Sequence, residues 1–152
     1  MLTDKRRVLF LCTHNSARSQ MAEGWLRYLA GSRFEAESAG MEAKGVQPLA
    51  IRAMSEAGVD ISGHQSKTLH QFLTQPFDLV ITVCDDAAEA CPVFPRAARQ
   101  LHWSFPDPSE ATGSDEQRIE VYRQIRDAIR YRVEAELTLT REGSVRNQRG
   151  DA

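Results

Sequence analysis

Cysteine, net charge and long apolar runs are all scarce in this chain, and each shortage narrows what it can be. Three cysteines in 152 residues is an odd, small count, which argues against a secreted scaffold stapled by disulfides. In a reducing compartment such cysteines act as nucleophiles, metal ligands or buried filler. A net charge of −2 offers no electrostatic reason to expect nucleic acid or an anionic membrane as a partner. No segment approaches the roughly 20 apolar residues of a membrane-spanning helix. The apolar run after Lys5-Arg6-Arg7 is too short for a signal peptide, so a cytoplasmic protein is expected. There is no internal repeat and no interdomain linker. One domain over residues 1–139 is expected, followed by a polar, flexible tail over 140–152 that has no apolar period.

What is present is an alternation of strand and helix signals. Arg7 to Leu11 reads as a buried strand, Ala17 to Leu29 as a helix stopped by Gly31, and Phe34 to Ser38 as a second strand. Pro48 suits the first turn of a helix running to about Ala57, with Gly58 at its end. Thr68 to Leu73 reads as a short helix, Leu79 to Val83 as a third strand, and Arg99 to Trp103 as a fourth. Ser114 or Asp115 can cap a final helix whose apolar stripe is Ile119, Tyr122, Ile125, Ile129 and Val133. Such alternation predicts an α/β fold with a mostly parallel sheet.

The chemistry concentrates in Cys12-Thr13-His14-Asn15-Ser16-Ala17-Arg18-Ser19, between the first strand and the first helix. Backbone N–H groups of a tight loop that ends at a helix N-terminus form an anion-binding nest. Arg18 can grip two oxygens of a tetrahedral oxyanion through its planar fork. The helix dipole and Arg18 both favour a thiolate at Cys12, and Ser19 can donate to its sulfur. Asn15 tolerates the left-handed conformation such a loop demands. Thr13, His14, Asn15, Ser16, Ala17, Arg18 and Ser19 are therefore the oxyanion-binding set, with Cys12 as nucleophile. His14 is expected to point outward at the rim.

Ligands of parallel sheets bind beyond the carboxyl ends of the strands. Cys12 follows the first strand, Cys84 the third, and Asp107 lies just beyond the fourth. All three share one edge of the sheet. If the first and third strands are neighbours, they lie about 4.8 Å apart, within bridging range for two cysteines.

Several segments carry a resemblance. The cradle, Gln20-Met21-Ala22-Glu23-Gly24, Ser38-Ala39-Gly40, Asp60-Ile61-Ser62-Gly63-His64 and Asp107-Pro108 resemble the low-molecular-weight tyrosine phosphatase fold. Val83-Cys84-Asp85, Cys91-Pro92-Val93-Phe94-Pro95 and His102-Trp103-Ser104-Phe105 resemble, more narrowly, the thioredoxin-coupled arsenate reductases of that fold. The likeness runs from about Arg7 to Val133. It implies a three-layer α/β sandwich with a four-stranded parallel sheet flanked by helices.

The resemblance also implies reduction of arsenate to arsenite. Cys12 would attack arsenic, Cys84 would take the Cys12 sulfur as arsenite leaves, and Cys91 would carry the disulfide outward for thioredoxin to reduce. Cys84 and Cys91 would lie about 10.5 Å apart on a straight helix, too far for a disulfide. Residues 85–90 are therefore expected to be helical when reduced and to unwind when oxidised. Asp107, the general acid of the phosphatases, would protonate a departing oxygen or help deprotonate a thiol. Some arsenate reductases of this type have a potassium-binding pattern that resembles Asn15, Glu23, Ser38 and a carboxylate after His-x-Ser. Here that last position is Lys67, whose ammonium can replace the cation's charge, so a potassium site is not expected. No tightly bound cofactor or metal is expected either, and the partners are arsenate-like oxyanions and thioredoxin, with the protein a monomer. Two rivals remain: a phosphotyrosine phosphatase, which needs Cys12, Arg18 and Asp107 alone, and a non-enzymatic redox or oxyanion sensor.

Overall fold

The computed structural model describes residues 5–85, 94–95 and 97–139. Cys91, the segment expected to unwind beyond Asp85, and the tail over 140–152 lie outside the described residues. Four strands, β1 (Arg6–Cys12), β2 (Phe34–Gly40), β3 (Leu79–Thr82) and β4 (Gln100–His102), form one sheet. They pair in the order β2-β1-β3-β4, all parallel. β1 and β3 are thus neighbours, with Leu11 opposite Thr82. The chain leaves β1 toward β2 on one side and β3 on the other. Cys12 therefore ends the strand at the topological switch point, where open α/β sheets bind ligands.

Strand alternation sorts the core into two faces. Val8, Phe10 and Cys12 face a cluster built with α1 (Arg18–Ala30), α2 (Pro48–Glu56) and α3 (Asp115–Val133). Leu9, Leu11, Ala39 and Val80 face the opposite way, onto Phe72, Phe77 and Phe94. Phe72 closes a short 3₁₀ turn, Leu69–Phe72. Each large apolar side chain so buried contributes about 1.5–3 kcal/mol. The sheet is thereby a middle layer with apolar material on both faces.

The helices begin and end for local reasons. Pro48 opens α2, and Gly58 follows it at φ +88°, a conformation that costs other residues a Cβ clash. Ser114 caps α3 in a capping box: Gln117 N donates to Ser114 Oγ at 3.2 Å, and Ser114 N donates to Gln117 Oε1 at 2.7 Å. The expected stripe Ile119, Tyr122, Ile125, Ile129 and Val133 is the buried face of α3. Trp25 of α1 locks onto it, donating from Nε1 to Arg126 O at 3.1 Å.

Boundaries differ from the sequence reading in small ways with physical causes. β2 continues through Ala39 to Gly40 because each residue keeps a β1 partner, Gly40 opposite Cys12. Gly31 stops α1 in a right-handed rather than left-handed conformation. α3 runs on into a π-helical turn, Glu134–Thr138, which buries Leu137. No described helix is long and apolar enough to cross a membrane.

Candidate active site

Cys12 ends β1 on its helix-covered face and is buried. The chain then turns through residues 13–17 into α1, whose first residue is Arg18. Asn15 holds the turn at φ +49°, the one described non-glycine residue with positive φ. Gly40, on the adjacent strand, makes room for it. A Cβ there would sit 2.7 Å from Asn15 N and 2.9 Å from Thr13 O.

The loop carbonyls are all turned away from the cradle and satisfied elsewhere. Thr13 O accepts from Glu42 N at 3.0 Å, His14 O from Lys44 N at 3.2 Å, and Ser16 O from Gln47 N at 2.9 Å. Asn15 O accepts from Ser66 Oγ at 2.9 Å, and Ala17 O from Met21 N at 2.8 Å. With the carbonyls held outward, the peptide planes present their N–H groups to the interior, the electrostatic form of an anion nest.

Arg18 is buried and crosses to the loop after β4. Its guanidinium donates to Phe105 O at 3.2 Å and stands 3.5 Å from Asp107 Oδ2. Asp107 is extended before Pro108 and caps the 3₁₀ turn Pro108–Glu110. Its Oδ1 accepts from Ser109 N at 2.9 Å and Ser109 Oγ at 2.8 Å. Oδ2 is left toward the arginine. The Arg18 guanidinium and the candidate acid thus meet at one edge of the sheet.

Behind the cradle lies a closed polar network. Asn15 Oδ1 accepts from the Lys67 backbone N at 2.7 Å and from Gln20 Nε2 at 2.8 Å. Asn15 Nδ2 therefore donates, to Ser19 Oγ at 2.8 Å and Ser38 Oγ at 3.0 Å. Ser38 donates in turn to Glu23 Oε1 at 2.6 Å. Ser19 Oγ, accepting from Asn15, also hydrogen-bonds Cys12 Sγ at 2.9 Å; when the sulfur is a thiolate, the serine hydroxyl is the donor. Glu23 is buried but ion-paired: Arg27 stands 2.7 Å from Oε2 and the Lys67 ammonium 3.9 Å from Oε1. Gln20 Oε1 receives His64 Nδ1 at 2.9 Å, and burial pushes the His64 imidazole pKa down.

Cys84 lies two residues past β3, fully buried, and both it and Cys12 are thiols. The ladder continues past the strand, Val83 N donating to Leu11 O at 2.8 Å, so Cys84 follows directly on the pairing that ends beside Cys12. His14 turns to the rim, its Nε2 3.6 Å from Glu42 Oε1. Among the described residues no group of three or more His, Cys, Asp or Glu side chains gathers as a metal set. Gln20, Ser66 and the 41–47 segment, which clamp the loop from behind, were absent from the sequence-derived site. Their one advance signal was the glutamine directly after Ser19.

A family model described as low molecular weight phosphotyrosine protein phosphatase matches residues 7–145. An arsenate reductase of Halalkalibacterium halodurans is 48% identical over 130 residues, 86% of this chain and 94% of that protein. A solved arsenate reductase in the oxidized state superposes with a TM-score of 0.73 at 33% identity, covering 86% of this chain and 95% of that one. The thioredoxin-dependent arsenate reductase of Corynebacterium glutamicum superposes with a TM-score of 0.63 at 32% identity, covering 89% of this chain and 63% of that one. A buried cysteine beside an outward-clamped loop, an arginine facing an aspartate and a second thiol at the neighbouring strand end accord with these matches: the chain belongs to the low molecular weight phosphotyrosine protein phosphatase family and, within it, to the arsenate reductases.

Proposed function

We propose that this protein reduces arsenate to arsenite through a relay of Cys12, Cys84 and Cys91, with thioredoxin as the final reductant. The observation that carries the reading is the placement of two buried thiols, Cys12 and Cys84, at the ends of adjacent parallel strands. Arsenate would be held by the loop N–H groups and the Arg18 fork. The Cys12 thiolate attacks arsenic and one oxygen leaves as water, with Asp107 supplying the proton. The Cys84 thiolate then attacks Cys12 Sγ. The sulfur–arsenic bonding pair goes to arsenic, which falls from the +5 to the +3 state, and arsenite departs. The Cys12–Cys84 disulfide is opened by Cys91 at Cys84, which frees Cys12 as a thiolate. A dithiol protein takes up the resulting Cys84–Cys91 bond. The name of the Corynebacterium relative supports thioredoxin in that role. Such a cycle belongs in a reducing compartment, in keeping with a cytoplasmic protein.

In this reading the cation of the buried Glu23 is a side chain. The Lys67 ammonium stands 3.9 Å from Glu23 Oε1, which supports activity without potassium. A weak phosphatase activity is also expected, since Cys12, Arg18 and Asp107 are all that ester hydrolysis would need.

The test is arsenite formation with thioredoxin, thioredoxin reductase and NADPH. Cys12→Ser should abolish arsenite formation altogether. Cys84→Ser and Cys91→Ser should each end multiple turnover while leaving phosphate-ester hydrolysis measurable. Normal cycling by Cys91→Ser would remove the three-thiol relay. Oxyanion binding with disulfide formation but no arsenite would favour a sensor.

A further inference from the structure

Tyr122 lies on the buried face of α3, and its ring is fully enclosed. Its Oη is the one buried side-chain nitrogen or oxygen among the described residues that has no hydrogen-bond partner. Buried hydroxyls are almost always satisfied, by protein or by an ordered water. The surroundings of this one indicate what it serves. α3 packs against the 3₁₀ turn Pro108–Glu110, which Asp107 caps. Burial first, and then the charge of Asp107, push the Tyr122 phenol upward, while Arg118 opposes them. The hydroxyl is thus within electrostatic reach of the Asp107 carboxylate yet does not bond to it directly.

The carboxylate has capacity to spare. Oδ1 is committed to Ser109 N and Ser109 Oγ. Oδ2 faces Arg18 of α1 at 3.5 Å, beyond an ordinary hydrogen bond. Arg18 from α1 thus faces the carboxylate, while Asp107 and Arg118 both act on the Tyr122 phenol. Nothing in the relay or the cradle uses Tyr122.

We propose that Tyr122 is a positioning residue for Asp107: its hydroxyl donates to one ordered water, which donates in turn to Asp107 Oδ2 and keeps that oxygen turned toward Arg18 and the bound oxyanion. A water in that place has a donor on one side and an ionised acceptor on the other, which are the partners a buried water requires. The inference rests on the proposed acid–base role of Asp107, and its test separates the two.

The pH–rate profile of arsenite formation is measured for the wild type, Asp107→Asn and Tyr122→Phe. Asp107→Asn should delete one limb. Tyr122→Phe should keep both limbs, since the acid itself is untouched. kcat should fall by about three- to tenfold with KM nearly unchanged. The melting temperature should change little, since phenylalanine keeps the buried ring and its packing. A Tyr122→Phe profile superimposable on the wild type overturns the inference while leaving Asp107's role intact. Retention of both limbs in Asp107→Asn overturns the acid–base role on which the inference rests, and the inference with it. A crystal structure of the wild type with phosphate in the cradle gives an answer independent of any variant. A water within hydrogen-bond distance of both Tyr122 Oη and Asp107 supports the bridge, and a hydroxyl bonded elsewhere refutes it.

Discussion

Ser19 Oγ stands 2.9 Å from Cys12 Sγ, and once that sulfur is a thiolate the serine must be the donor. The Lys67 backbone N–H must donate, so the Asn15 atom it meets is the carbonyl oxygen. The Asn15 NH₂ then occupies the oxygens of Ser19 and Ser38. Ser38 spends its hydrogen on the Glu23 carboxylate, and Ser19, accepting from Asn15, still has its own to give to a thiolate. The Lys67 backbone N–H thus fixes the orientation of Asn15, and through it the acceptor role of Ser19.

Ser19→Ala should therefore slow the chemistry of Cys12 without unfolding the protein. A hydrogen bond to a charged acceptor contributes about 1.5–3 kcal/mol, so alkylation of Cys12 by iodoacetamide at fixed pH should slow by about tenfold or more. Measured in a background of Cys84→Ser and Cys91→Ser, the rate reports Cys12 alone. An unchanged rate would mean the serine hydrogen goes elsewhere.

Gly40→Ala tests how tightly the cradle is held. The new Cβ would meet Asn15 N at 2.7 Å, Glu42 O at 2.8 Å and Thr13 O at 2.9 Å, all backbone atoms that cannot swing aside. Overpacking of this kind costs about 1–3 kcal/mol, and a cradle displaced by even 1 Å can lose about a hundredfold in rate. Both the melting temperature and kcat/KM should drop. Gly63→Ala, where nothing lies within 4 Å, should leave both unchanged.

Lys67 carries the cation question. At constant ionic strength, potassium and sodium should support equal rates. Lys67→Met should lower stability by about 1 kcal/mol, because Arg27 still pairs with Glu23 at 2.7 Å. Clear stimulation of the wild type by potassium over sodium would show that the ammonium does not fill the cation's place.

Stability toward acid should depend on a contact far from the site. Arg123 of α3 grips Glu56 of α2 with Nε at 2.8 Å and Nη2 at 2.9 Å. The hydrogen bonding by Arg123 holds the Glu56 carboxyl pKa down to about 2. A carboxyl depressed by folding stabilises the native state fully above its unfolded value of about 4.3 and progressively loses that contribution as pH falls toward 2. Thermal melts of wild type and Glu56→Gln should differ at pH 6 and converge as pH falls below about 4. High salt should narrow the gap at every pH, since the pair is solvent-accessible. A gap that is constant from pH 6 to pH 2 would contradict this account.

Much of this molecule was legible in its sequence because the signals are local. The apolar run before Cys12 gives a central strand, and the spacing of Ile119, Tyr122, Ile125, Ile129 and Val133 gives the buried face of α3. Ser114 with Gln117, and Pro48 with Gly58, set helix ends within a few residues of themselves. The cradle from Cys12 to Ser19 is one continuous stretch, so its nucleophile, its arginine and its left-handed asparagine could be named at once.

What only the tertiary structure decided joins residues far apart in the chain. Arg18 reaches Phe105 O across 87 residues and Lys67 N reaches Asn15 across 52, and no periodicity or cap encodes such meetings. The outward clamp on the loop carbonyls, the backbone pressed against Gly40 and the buried hydroxyl of Tyr122 follow in the same way from how sheet and helices pack. The sequence by itself determined that a thiol and a guanidinium would stand at the two ends of one loop between a strand and a helix. The closed network of donors and acceptors, which exists only after the chain has folded, determined which atom of Asn15 meets Lys67 and which meets the two serines.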